Sequence, residues 1–146
     1  MSQKEGTFTR VEKTAQKMYG PRKLLVCGYP AKEQGGLVSC LKETGLDDLP
    51  VVFIGEKEGE KCISEILVWD DGHGAGEDSR LGRAVIMSGF TQEELHLLIK
   101  SYRESGMPGQ LWATVTPVSE GWRVIDLLKE LSAEAEAMRR RASSKG

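Results

Sequence analysis

Five side chains that could gather a cation fall within one short stretch: Asp70, Asp71, His73, Glu77 and Asp78. Oxygen-rich sets of this kind hold hard divalent ions. Their spacing is not that of a calcium-binding loop, and Gly72, Gly74 and Gly76 between them make ordering costly in entropy. The segment therefore reads as a mobile, solvated linker, and no metal is expected. Cys27, Cys40 and Cys62 form no C-x-x-C pair, and only His73 and His96 could serve as a partner base. The thiols read as reduced and structural rather than nucleophilic. His96, among glutamates, reads as a surface residue. Arg139, Arg140, Arg141 and Lys145 would suit nucleic acid or an acidic partner. Basic residues at a helix C-terminus also offset its dipole, and no aromatic residue interleaves with them, so nucleic acid is not the expected partner. Trp112 and Trp122 read as core. No lysine follows a glycine-rich loop and there is no G-x-G-x-x-G, so no cofactor is expected.

The elements that would position such groups come in two copies. Lys23 to Tyr29 recurs in pattern as Ala84 to Phe90, at an offset of 61 residues. The same offset relates Gly28 to Gly89, Gly45 to Gly106 and Leu67 to Leu128, without a gap. The apolar runs Leu24 to Cys27, Val51 to Ile54, Ala84 to Ser88 and Leu111 to Thr116 read as strands. Thr91 and Glu94 form a capping box, with Phe90 and Leu95 as its hydrophobic staple, and a helix follows on the face of Leu95, Leu98, Ile99 and Tyr102. Gly106 and Pro108 stop it. Its twin begins at Pro30 and carries Gly35 and Gly36, which weaken it by about 1 kcal/mol each relative to alanine. A last helix is expected from about Glu120, with Trp122, Ile125, Leu128, Leu131 and Met138 on one stripe and an extension through Arg141. Helical spacing of Phe8, Val11, Ala15 and Met18 suggests a further helix over Thr7 to Tyr19.

The resulting expectation is an α/β fold: tandem duplicated βαβα units forming one four-stranded, mainly parallel sheet covered by helices. The single domain spans 23–135, with units at 23–69 and 84–135 and a Gly/acidic linker at 70–83. An N-terminal extension at 1–22 and a basic tail at 136–146 flank it. At 146 residues, with a formal net charge of -2, the chain is long enough for one core and has no global positive field. Met1 to Arg10 is polar and no window approaches a membrane span, which favours a cytoplasmic rather than a membrane protein.

The stretch from Val85 to about Glu134 also resembles an uncharacterised bacterial family, domain of unknown function 3783. The resemblance rests on Met87-Ser88-Gly89-Phe90, Glu93-Glu94-Leu95, Thr116-Pro117, Trp122 and Leu127-Leu128-Lys129-Glu130-Leu131. It implies no activity and no catalytic residue. The family carries a polar residue, often asparagine, a few positions before its tryptophan; Ser119, Glu120 and Gly121 stand there in this chain.

Any pocket is expected at the carboxyl ends of the strands, with Ser88, Gly89, Phe90, Thr91, Thr116, Gly28 and Tyr29 as candidate ligand-binding residues. The free N-H groups of the following helices would suit a small anion. A glycine that only permits a tight turn beside a stapling aromatic explains the same pattern. The reading that results is a non-enzymatic module binding a partner protein or a small anionic regulator, with a homodimer compatible. The alternatives are an enzyme acting on a phosphorylated or carboxylated substrate through Ser88, Thr116 or Glu56, and nucleic-acid binding through the C-terminal arginines.

Overall fold

The computed structural model describes residues 17–145. Four short apolar runs form the strands β1 (Lys23–Cys27), β2 (Val51–Ile54), β3 (Ala84–Ser88) and β4 (Leu111–Thr114). They assemble in the order β2-β1-β3-β4. The helices are α1 (Ala31–Glu43), α2 (Ile63–Ile66), α3 (Gln92–Glu104) and α4 (Val124–Lys145). Even-numbered residues of β1 and odd-numbered residues of β2 and β3 pack against Leu37, Cys40 and Leu41 of α1 and Leu98 and Tyr102 of α3. The alternate residues, including Leu25, Val52 and Ile86, pack against Ile63 and Ile66 of α2 and Val124, Leu127 and Leu128 of α4. Both faces of the sheet are covered, which is why Leu24 to Cys27, Val51 to Ile54 and Ala84 to Met87 are continuous apolar runs rather than alternating ones.

The duplication is visible in the pairing register. Leu24 pairs with Val51 in the first unit, and their counterparts Val85 and Trp112 pair in the second, both in parallel. The units meet through β1 and β3, which run antiparallel with Leu25 opposite Ile86, its own counterpart. A local two-fold axis thus passes between these two residues. It emerges again below the sheet, where Cys62 and its counterpart Arg123 form an isolated antiparallel bridge. There Ile63 N donates to Trp122 O at 2.9 Å and Val124 N donates to Lys61 O at 3.0 Å. The sheet is mostly parallel, with one antiparallel pair at its centre.

Glycine counterparts share their conformation: Gly28 and Gly89 have φ of 75° and 69°, and Gly45 and Gly106 have φ of 77° and 78°. The α3 capping box forms as its sequence predicts, with Glu94 N donating to Thr91 Oγ1 at 3.1 Å and Thr91 N donating to Glu94 Oε1 at 2.9 Å. Burial pushes the Cys27 thiol up to about 12, as befits an inert core sulfur.

The units diverge after their second helix. In the first, α2 stops after one turn, and Asp70-Asp71-Gly72 turns the chain back; in the second, Leu131-Ser132-Ala133 stands at the matching positions, and α4 runs on to Lys145. Aspartate and glycine oppose a helix interior where leucine and alanine favour it. The glycine-rich segment is not the free linker its composition suggests. Gly72 N donates to Val51 O at 2.7 Å, Phe53 N donates to His73 O at 2.8 Å, and Val51 N donates to the Asp71 carboxylate at 2.8 Å. It covers the outer edge of β2, and Gly74 has no room for a side chain because a Cβ would overlap Phe53 O.

Three smaller boundaries differ from expectation. The last helix starts at Val124, not Glu120, because Ser119–Gly121 closes a separate 3-10 turn held by Thr116. That helix ends at Lys145, beyond the expected stop of its extension at Arg141. Of the helix expected over Thr7 to Tyr19, residues 7–16 lie outside the described residues; Lys17 to Tyr19 is not helical, with Lys17 bridging Thr91 and Met18 N donating to Phe90 O at 2.7 Å.

Candidate functional site

Because β1 and β3 are antiparallel, the carboxyl ends of the two units open at opposite ends of the sheet. The candidate residues accordingly separate into two groups. Gly28 and Tyr29 lie at one end, and Ser88, Gly89, Phe90, Thr91 and Thr116 lie at the other. Of the residues weighed for an enzyme, Glu56 stands at the first end and Ser88 and Thr116 at the second, so they form no common site.

Each end is braced by the same device. Arg22 donates from both terminal nitrogens to the Glu94 carboxylate, at 2.7 and 2.6 Å, and its guanidinium lies 5.9 Å from the Phe90 ring centroid. One repeat later, Arg83 donates to Glu33 at 2.7 Å and lies 4.0 Å from the centroid of Tyr29. Arg22 and Arg83, Glu33 and Glu94, and Tyr29 and Phe90 are counterparts at the 61-residue offset. Each arginine precedes the first strand of one unit and grips the first helix of the other. Arg83 also donates to the Tyr102 hydroxyl at 3.0 Å, which in turn donates to Pro108 O at 2.6 Å. Burial raises the Tyr29 phenol above its ordinary range, and its hydroxyl donates to Gln110.

The bidentate Arg22 bond, reinforced by the Thr91 backbone, holds the Glu94 carboxyl below its ordinary 4.5. A carboxylate with a depressed folded pKa adds stability above its unfolded pKa and loses it as pH falls through the folded value. Arg22→Gln is therefore expected to destabilise the protein at neutral pH. The gap from wild type should close as pH drops from about 5 to about 3, read by urea unfolding at each pH. A gap independent of pH would mean the arginine acts through packing alone.

The second end is closed by the chain itself. Gly89 N donates to Tyr19 O at 3.1 Å, and Tyr19 donates to the Glu120 carboxylate at 2.6 Å. Gly20 sits on the Ser88 hydroxyl, which is buried and has no partner among the described residues. Thr116 N donates to Ser119 Oγ at 3.0 Å, closing the turn after β4.

The first end holds a cleft of about 330 Å³, lined by Tyr29, Gln34, Glu56, Lys57, Glu58, His73, Glu77 and Asp78 among others. Its outer wall is the glycine-rich segment. Gln34 donates to Glu77 O at 2.9 Å and accepts from Gly76 N at 2.8 Å. Asp78 accepts from Ala31 N at 2.7 Å, so the first turn of α1 is already occupied by a carboxylate. Glu58 accepts from Gly55 N at 2.8 Å through one oxygen and meets His73 Nε2 at 2.6 Å through the other. The lining therefore carries four carboxylates against one lysine and one histidine. The sequence reading missed this wall, because its contacts are made mostly by backbone groups of a segment whose composition resembles a linker.

No group of three or more potential metal ligands is found among the described residues. No helix there is long and apolar enough to cross a membrane. The described residues thus form a small α/β domain of two similar βαβα-like units, with no obvious catalytic or metal-binding feature among them. Residues 83–138 match a family described as Domain of unknown function (DUF3783), an uncharacterised bacterial domain family. Nothing matches among curated proteins or solved structures.

Proposed function

We propose that this domain is a non-enzymatic binding module, and that the group it receives at the first strand end is cationic, such as a lysine or arginine side chain of a partner protein. The observation that carries the reading is the carboxylate lining of the cleft formed by Glu56, Glu58, Glu77 and Asp78. Like charges gathered in a concave site attract an opposite charge and repel an anion. The strand-end position by itself would suit a small anion, but Asp78 already occupies the first N-H of α1, and Thr91 and Glu94 engage each other at α3.

The test is an NMR titration of the full chain with a short lysine- and arginine-containing peptide, and separately with inorganic phosphate. The peptide is expected to move the amides of Gly55 to Glu58 and His73 to Ser79, and Glu58→Gln with Asp78→Asn should weaken it by about tenfold or more. Phosphate shifting Ser88 to Glu93 instead would overturn the cationic reading in favour of an anion site.

A further inference from the structure

The two outer edges of the sheet are treated differently. In β4, Leu111 N donates to Arg83 O at 3.2 Å and, beyond the strand, Val115 N donates to Met87 O at 3.0 Å. In a parallel ladder alternate residues face the neighbour, so Trp112 and Thr114 turn their N-H and C=O groups outward. Their counterparts in β2 are Val51 and Phe53, whose outward groups are taken by Asp71, Gly72 and His73. The matching stretch of the second unit has continued as helix α4. The outward groups of Trp112 and Thr114 consequently have no partner among the described residues, and every residue of β4 is only half-buried.

Natural sheets blunt such edges with charges, especially lysine. This one has none: Ser105 to Ser119 contains no Asp, Glu, Lys, Arg or His, the longest such run in the chain. Two copies of most surfaces oppose like charges when they meet, whereas two copies of this edge do not. The edge is also self-complementary. In an antiparallel pair centred on Ala113, Trp112 N would donate to the partner's Thr114 O while the partner's Thr114 N donates to Trp112 O, and the two-fold repeats both bonds. Trp112 would then lie beside the partner's Thr114, a favourable aromatic and β-branched cross-strand pair, with the two small Ala113 side chains meeting at the axis.

We propose that β4 pairs antiparallel with β4 of a second copy, joining two four-stranded sheets into one of eight strands. This goes beyond the binding role assigned to the cleft, which lies toward the opposite, β2 edge and stays open in such a dimer. The test uses Thr114→Pro, which removes only an outward donor and is tolerated on an edge strand. Sedimentation of the full chain at about 10 to 500 µM is expected to show a dimer for wild type and a monomer for Thr114→Pro with an unchanged circular dichroism spectrum. In wild type, the amides of Trp112 and Thr114 should exchange more slowly as protein concentration rises, a readout that stands even if the proline variant does not fold. A wild-type monomer throughout that range, or a dimer in which both amides exchange at the monomer rate, overturns the proposal.

Discussion

Truncating Ile86 to alanine is expected to cost about 3 to 4 kcal/mol of unfolding free energy, and Leu25→Ala about the same. Both side chains are fully buried, and they lie opposite each other in the central antiparallel pair, on the face covered by α2 and α4. Each truncation removes apolar contact from both units at once, since the axis relating the units passes between these residues. The cavities left by the two changes adjoin, so the double variant should cost less than the sum by about 1 kcal/mol, the behaviour of residues that touch. Urea unfolding of the four proteins measures this cycle. Strict additivity would mean the two side chains do not share a cavity, and would count against the axial packing described above.

Gly28→Ala is expected to cost about 3 kcal/mol or more, and Gly45→Ala only about 1. The two glycines have nearly the same φ, 75° and 77°, so the conformational penalty of a side chain is nearly the same. They differ in surroundings. A Cβ at Gly28 would overlap Leu81 O and come within 2.8 Å of Arg83 Cα, both backbone atoms, whereas one at Gly45 meets nothing within 4 Å. The difference between the variants therefore isolates the close approach of the lead-in to β3, the segment that carries Arg83. Equal losses at the two positions would show that this approach is looser than the geometry indicates.

The duplication, the strand runs and the capping of α3 were legible because each is written in local pattern: hydropathy at a fixed offset, Thr91 with Glu94, glycine at the helix stops. The relation between the units was not. Runs such as Leu24 to Cys27 and Ala84 to Ser88 are apolar on both faces, and a strand of that kind gives no sign of whether its neighbour is parallel or antiparallel. The arginine braces did leave a signal, since Arg22, Glu33 and Tyr29 each find a counterpart of like chemistry at the same offset as the glycines. Hydropathy matching passes over such positions because surface charges vary freely elsewhere. The wall of the cleft left almost none: Gly72 and His73 act mainly through peptide groups, which every residue possesses.

The arrangement of the strands also constrains the order of events in folding. Each βαβ unit closes within itself, but the contacts of β1 with β3 join residues about sixty positions apart, and local contacts form well before pairings of that span. The central pairing, with the arginine braces across it, should therefore belong to the slow step. On the ribosome the first unit would emerge with β1 still bare on its inner edge, and a chain arrested before Ala84 would present Leu24 to Cys27 to whatever strand came near. The residues that end this exposure are those of β3, so the interval between the synthesis of Gly55 and of Ser88 is when the protein is most open to mispairing.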